Sequence, residues 1–452
     1  MENRLVVATT CPTCSAPLDF AQGTNAIQCG YCRSNLLVTG HKQVLSYAIS
    51  PKVERHDAVA QAQLAYEERS MSCCVRTAHL YFIPYYRLTG HDLRWVQTAD
   101  GTEQRTLPTS LLQSMMEQPE ARQTFREPCK PQLHDRYIEK NFIACPMPGT
   151  GLHSLGIRPA VLRLELFHSE RLTSLGTVVA VGMSPREALA QGLKTAGKQH
   201  MMMRQVLGRM LSVLYFPYWI VEVEQAGQTV LAIVDAVAAK VITLDAPCSL
   251  YRVLHQQSNI TPQVIGFRPL VCPNCNWDLP LRTDDSLYFC TACDRAWQLA
   301  GSELHAVAYQ IASLPSMSAQ SAVTYLPFWI LQPKAISGAS RPYYLPAFRY
   351  RRLKVLADLA CRWTRKQPHY EMLTGAKPPL QGGFYDQGDA VQLAHFVHTG
   401  LSLERHRRSS QVARPQLSFR RATLTWFPFT GRGRYLIDPI TGLDLQSSAL
   451  LS

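Results

Sequence analysis

The chain has 452 residues, 46% of them apolar and 17% charged, so it can bury substantial cores and is neither a disordered tail nor a coiled-coil rod. Lys+Arg 46 against Asp+Glu 33 gives a formal charge of +13. The sequence lacks an apolar run near the ~18 residues of a membrane span, and the opening MENRLVVATTCP is too weakly apolar for a signal-peptide core, so a soluble, cytoplasmic protein of two to four domains is expected.

Residues 1–40 open with CPTC and close a second pair with CGYC: Cys11, Cys14, Cys29 and Cys32. Fourteen residues separate the pairs, the spacing of a four-cysteine zinc ribbon. Tetrahedral zinc takes four thiolates at about 2.3 Å, and a two-residue knuckle lets both sulfurs of a pair face one ion. Residues 266–302 repeat the pattern without a gap at an offset of 261, with Cys272, Cys275, Cys290 and Cys293 and with apolar positions in step. A duplication is expected. A disulfide framework is the competing reading, but a large chain without a secretion signal belongs in a reducing compartment. With no position left open for water, both ions are expected to be structural Zn²⁺, and two filled sites would lower the formal charge to about +9. Asn276 and Thr291 stand where glycine often follows a cysteine in such ribbons, which bears on the second knuckle geometry.

Residues 41–96 and 151–265 read as two α/β units. VLSYAISPK and LYF in the first recur as VVAVGMSPR and LYF in the second at a fixed offset of 134. Each unit is expected to run strand, helix, strand. Ser50-Pro51 and Ser184-Pro185 combine a helix N-cap with proline in the first turn, and Glu187 completes a capping box. Ala188, Leu189, Leu193, Ala196, Met203, Val206, Leu207, Met210 and Leu211 recur at helical spacing, so the second helix is expected to run long. An aromatic-proline signature closes each unit, LYFIPYYRL at 80–88 and LYFPYWIVEV at 214–223, and returns as TYLPFWIL at 324–331 and LTWFPF at 424–429. Proline cannot donate to a ladder and is expected at a strand end, an edge or a bulge.

Residues 97–150 and 365–390, rich in Pro, Gly and polar residues, read as connectors. Residues 303–364 read as a β-rich third unit; too few residues separate Pro315 from Leu326 for a long helix, so a plain hairpin or truncated unit is expected there. Residues 391–452 form a basic C-terminal unit. AIVDAVAAKVI at 232–242 and YLIDPITGLDL at 435–445 each read as strand, aspartate turn, strand, with Asp235 and Asp438 bonding backbone N–H groups.

The positive charge is uneven: residues 341–452 carry 17 basic and 7 acidic groups, while the rest is close to balance. Arginine outnumbers lysine 35 to 11, and arginine forks suit phosphates and carboxylates. Arg349, Arg351, Arg352, Arg405, Arg407, Arg408, Arg420 and Arg421 interleave with Tyr343, Tyr344, Phe348, Tyr350, Trp363, Phe419, Trp426 and Phe427. Such a composition fits a nucleic-acid surface, an anionic protein or lipid surface, or a solvated basic face over core aromatics. The sequence carries no GxSxG, HExxH, Walker or GxGxxG element, and His395 and His398, three apart in AHFVH, lack a third ligand, so no enzyme activity is expected.

The segments CPTCSAPL…CGYCRSNL and CPNCNWDL…CTACDRAW resemble the ribbons of transcription factor IIB and of the primosomal replication helicase, and with the aromatic-proline strands the chain resembles a group of bacterial zinc-ribbon proteins. The resemblance covers about 44 of the 452 residues and implies zinc and a binding role. The expected fold class is α+β: two four-cysteine zinc ribbons combined with repeated strand-helix-strand units of mainly antiparallel sheet. The expected function is a non-catalytic, zinc-stabilised adaptor or scaffold with protein partners in a cytosolic assembly. The alternative is a nucleic-acid-binding protein using the arginine-rich C-terminal region; a small-molecule substrate is not expected.

Overall fold

The structure is a computed structural model that describes residues 4–97, 131–153, 155, 162–194, 201–225, 227–256, 262–314, 322–334, 341–374, 377–405 and 417–450. It is a mixed α+β fold dominated by strands in mainly antiparallel sheets.

In the first half, two hairpins, β1 (Val6–Thr10) with β2 (Pro17–Ala21) and β3 (Ala26–Gln28) with β4 (Asn35–Val38), carry the first cysteine quartet. Then come β5 (Leu45–Ala48), α1 (Arg55–Glu67), β6 (Cys74–Gln97), β7 (Pro131–Ile143), β8 (Arg163–Leu166), α2 (Ser169–Leu175), β9 (Thr177–Val178) and α3 (Pro185–Gly192). The half closes with β10 (Met201–Gln225), the β11 (Gln228–Asp235) and β12 (Val241–Ala246) hairpin, and α4 (Leu250–Leu254). The second half follows with β13 (Phe267–Pro269), β14 (Leu287–Cys290), β15 (Arg295–Ala300), β16 (Glu303–Val307), β17 (Tyr309–Ser313), β18 (Val323–Pro333) and β19 (Tyr343–Pro346). It ends with α5 (Leu353–Lys366), β20 (Glu371–Met372), α6 (Gln387–Arg405), β21 (Phe419–Arg432), β22 (Tyr435–Ile437) and β23 (Asp444–Gln446).

The two halves share one plan. β6 and β10 run antiparallel with Pro84 opposite Tyr215 and Phe82 opposite Pro217; β18 and β21 repeat this with Pro327 opposite Trp426 and Tyr325 opposite Pro428. A short parallel strand joins the far side of each pair, β5 on β10 and β17 on β21. The aspartate hairpins follow β10 and β21 as expected. Asp235 Oδ1 accepts from the Val237 and Ala238 N–H groups at 2.7 and 2.9 Å, and Asp438 Oδ1 from Ile440 at 2.8 Å.

The prolines do not lie at strand ends or edges. Pro217 falls where the neighbour of β10 changes from β5, paired through Tyr215, to β11, paired from Tyr218. Pro84 falls between β9, paired through Phe82, and β7, paired from Tyr85. Pro428 falls between β17, paired through Trp426, and β22, paired from Thr430. A residue without an N–H costs nothing in such a gap, because no neighbouring carbonyl is waiting for it.

Other expectations need correction. The capping box at Ser184 and Glu187 is present, but the helix ends at Gly192 and residues 201–225 form a strand. Register shifts between Met201 and Met203 and between Leu207 and Met210 interrupt the two-residue alternation of β10, which leaves the buried Met203, Val206, Leu207 and Leu211 at helical spacing, and Leu211–Tyr218 beyond them are all buried. Helix α1 starts at Arg55, not at Pro51; Ser50 donates instead to Glu165 at 2.7 Å. The residues after the second ribbon do not make a plain hairpin: β17 and β18 both pair with β21, on opposite sides. Within the expected connectors, 131–143 is a strand of the large sheet and 387–390 begins α6, while 98–130 lie outside the described residues.

Beyond their prolines, β6, β7 and β10 extend as an arm. Leu93, Met203 and Leu207 at its far part join the core of the second half, where Trp363 stacks on Phe328 at 4.5 Å among the aromatics of β18, β19, α5 and β21.

Candidate metal centres

Each C-x2-C pair folds into the same turn. The N–H of the residue after the second cysteine donates to the carbonyl of the first: Ser15 to Cys11 at 2.8 Å, and Arg33 to Cys29, Asn276 to Cys272 and Asp294 to Cys290 each at 2.9 Å. Those four residues are all left-handed, with φ of 60, 58, 57 and 57°. The position that needs this conformation is the one after the second cysteine. Asn276 and Asp294 are among the residue types that tolerate it best, so the missing glycines leave the second pair of knuckles unchanged.

The turns bring the sulfurs together. Cys11 and Cys32 lie 3.8 Å apart, Cys14 and Cys29 3.7 Å, Cys272 and Cys293 3.5 Å, and Cys275 and Cys290 3.6 Å. Within each quartet all four sulfurs lie within 4.8 Å of one another. A tetrahedron with metal–sulfur bonds of about 2.3 Å has edges of about 3.8 Å, whereas a disulfide needs about 2.05 Å. Both quartets could therefore hold a metal ion. The first cysteine of each knuckle is buried; Cys14, Cys32 and Cys275 are exposed and Cys293 half-buried, so each centre faces solvent on one side.

The thiols are electrostatically uneven. The Ser34 hydroxyl and N–H hold Cys32 down at about 6. At Cys14 the Ala16 N–H favours the thiolate, but desolvation and the crowding of Cys32, Cys29 and Cys11 outweigh it and push the thiol up to about 11. Four sulfurs at this distance cannot all ionise unaided, and a divalent cation among them would remove that conflict.

The two centres belong to one block. β13, just ahead of the second quartet, pairs with β4 through Val38 opposite Phe267 and Leu36 opposite Pro269. Asn25 and Ala26 N–H groups both donate to the Thr283 carbonyl, and Gly40 and His41 N–H groups to that of Gly301. Ala26 and Leu37 share a buried cluster with Leu270, Leu279, Tyr288, Trp297 and Leu299.

No family model, curated protein or solved structure matches this chain.

The arginine-aromatic reading of the C-terminal region does not survive as a stacking surface. Tyr343, Tyr344, Phe348, Tyr350, Trp363, Trp426 and Phe427 are buried and Phe419 half-buried. Arg349 is buried as well, ion-paired to Asp284 and lying over the Phe384 ring at 4.8 Å. Arg351, Arg352, Arg420 and Arg421 are exposed. Arg407 and Arg408 and the side chain of Arg405 lie outside the described residues. His398 contacts the Tyr343 hydroxyl at 2.5 Å and His395 packs edge-on against Phe419, so both serve packing.

Sequence reasoning missed a cavity lined by the buried polar residues Gln22, Asn25, Tyr47 and Arg87 and the half-buried His41. They come from three separate segments with no shared spacing, and only the Gln22-Gly23 turn and the unusual run GHKQ at 40–43 set them apart in the sequence.

Proposed function

We propose that this protein is a non-catalytic adaptor whose two quartets hold structural zinc and whose joined halves present one rigid β-rich body to other proteins in a cytosolic assembly. The observation that carries the reading is the closure of both metal shells: four cysteine sulfurs at tetrahedral spacing leave no position for water or substrate, which is the character of structural and not catalytic zinc. Thiolates favour zinc over calcium or magnesium, and a reducing compartment keeps them available. The ions then act as frame, because each sits in hairpins that pack on the other.

Nucleic-acid binding is the second reading, supported by the exposed Arg351, Arg352, Arg420 and Arg421. It draws no help from base stacking, since the aromatics of that region are interior. The two readings separate experimentally. Metal analysis should return two zinc ions per chain, and capture by the tagged full-length protein from its native cell should return a stoichiometric protein partner that survives high salt. An electrophoretic shift titration at low salt, repeated with Arg405, Arg407 and Arg408 changed to Ala, should show no nucleic-acid complex. A complex whose log K falls linearly with log salt would replace the adaptor reading with the second one.

A further inference from the structure

One face of the arm gathers cations around a single carboxylate. In the ladder, Asp92 stands opposite Arg136 and Val206, and Arg94 opposite His134 and Arg204. Three guanidiniums reach the same oxygen, Asp92 Oδ2: Arg94 Nε at 2.9 Å, Arg204 Nη2 at 3.0 Å and Arg136 Nε at 3.7 Å. Lys140, farther along β7 on the same face, donates to the Lys194 carbonyl at 2.9 Å, and Arg204 donates to that of Leu193, so the cluster adjoins the end of α3.

The charge here does not balance. The other acids of the arm strands, Asp135 and Glu139, fall on the opposite face by the alternation of a strand. There Asp135 accepts from the Lys354 N–H at 3.0 Å and Glu139 pairs with Arg87 at 2.6 Å. The carbonyls that end α3 bring only the partial charge of a helix terminus, and Glu187 is engaged at the other end of that helix in its capping box. Among the described residues of this face, four cations therefore meet one carboxylate. Lys140 feels the excess: burial and the charges of Arg204, Arg136 and Arg94 hold its ammonium below the ordinary value, against the opposing pull of Asp92.

The cluster is part interior and part open. Asp92 is sealed and the Arg94 and Arg204 side chains are 10% and 12% exposed, whereas Arg136 is 61% exposed. Arginines already held by Asp92 lose little freedom on meeting a ligand, and Arg136 adds a fork on the solvent side. A carboxylate would cancel only one of the surplus charges. A phosphate monoester carries about −1.5 to −2 and three acceptor oxygens, a closer match, and guanidinium forks fit it bidentately. No Phe, Tyr or Trp is exposed among the described residues of this face, so a nucleic-acid base would find nothing to stack on.

We infer that this face of the arm binds a small phosphate ligand, inorganic or a monoester, through Arg136, Lys140 and Arg94, with Arg204 and Asp92 as the fixed base beneath them. The site goes beyond the adaptor reading and does not depend on it, since it lies apart from both cysteine quartets and from the C-terminal arginines. Inorganic phosphate and pyrophosphate are the probes. Calorimetric titration of the full-length protein at low salt should show one equivalent of pyrophosphate bound, phosphate more weakly, and acetate at least about tenfold more weakly than phosphate. Arg136→Ala should leave the urea midpoint of the ligand-free protein unchanged, because that side chain is mostly exposed and approaches Asp92 only to 3.7 Å. It should weaken pyrophosphate by about tenfold or more, the loss of one charge-assisted hydrogen bond. No heat with pyrophosphate, acetate matching phosphate, or unchanged pyrophosphate affinity in Arg136→Ala overturns the proposal. A single-stranded oligonucleotide that binds more tightly than pyrophosphate and displaces it also overturns it, and gives this face to nucleic acid.

Discussion

Trp95 lies flat on Phe396, with ring centroids 5.4 Å apart and planes 15° from parallel, and its indole N–H donates to the Phe396 carbonyl at 3.3 Å. The first residue is near the end of β6 and the second is in α6, so this stack fastens the arm of the first half to a helix of the second. Gly400 completes the seat: a Cβ there would come within 2.7 Å of the indole. Trp95→Ala should cost about 3 kcal/mol in urea unfolding. In a double-mutant cycle, Trp95→Ala and Phe396→Ala should show a coupling of about 0.5–1.5 kcal/mol. Gly400→Ala should destabilise by displacing the same ring, and strict additivity of the two alanine variants would mean that the stack does not join the halves.

The metal centres make a sharper demand. Cys29→Ser should lower the metal content from two equivalents to one and release the first hairpins, because a structural ion in a small fold contributes on the order of 10 kcal/mol. The damage should spread, since β4 pairs with β13 and Leu37 shares a buried cluster with Leu299 and Trp297. Hydrogen exchange should therefore rise in residues 267–300 as well. Lowering the pH should free the metal as thiolates take up protons; a second region that keeps its protection after Cys29→Ser would show the two centres to be independent.

How much of this is legible in the residues depends on what kind of signal each feature sends. The knuckles are local, so eight cysteines at fixed spacing are enough to place eight sulfurs in two groups. The aspartate hairpins and the Ser184 capping box are local too, and their residues announce them. Strand partners are not local. Pro84 and Pro217 look like strand punctuation, yet each sits in a gap between two neighbours that come from elsewhere in the chain. Met203, Val206, Leu207 and Leu211 carry a helical stripe because β10 shifts register between Met201 and Met203 and between Leu207 and Met210, and its partner β6 decides the matter through a ladder from Cys74 to Val96. Composition counts charges without placing them, and burial alone separates Arg349 in its ion pair from Arg351 at the surface.

Asp92 illustrates a charge that composition cannot place. It is fully buried in the arm, with Arg204 Nε at 2.8 Å from one carboxylate oxygen and Arg94 Nε at 2.9 Å from the other. Burial alone would raise the carboxyl, but the hydrogen bonds and charges of Arg204 and Arg94 outweigh it and hold Asp92 below the ordinary range. A depressed folded value stabilises the fold above the unfolded value and is lost as pH falls through the folded one. Asp92→Asn should cost about 3–5 kcal/mol at neutral pH, because two guanidiniums lose their counter-charge. Unfolding midpoints of the two proteins should draw together as the pH falls through the depressed folded value, well below the ordinary carboxylate range; a gap that does not narrow there would assign the loss to packing instead.

Asp285 should behave in the opposite sense. Its Oδ2 has no hydrogen-bond partner among the described residues, and it lies so close to Gly382 that a Cβ at that glycine would sit 1.8 Å away. Burial pushes the carboxyl up to about 7, with Asp284 adding to the rise and Arg282 and Arg349 opposing it. The unfolded chain gives up this proton near 3.8 while the folded chain keeps it. Stability is therefore full below that value and declines as pH rises toward about 7, where the folded group also ionises. Asp285→Asn removes the titration and keeps the shape, so it should stabilise the protein by about 3–4 kcal/mol at pH 8 and by almost nothing at pH 4. Chemical denaturation across this range checks the slope directly. A flat difference between the two proteins would mean that Asp285 is already ionised in the fold, held by Arg282 and Arg349 despite its burial.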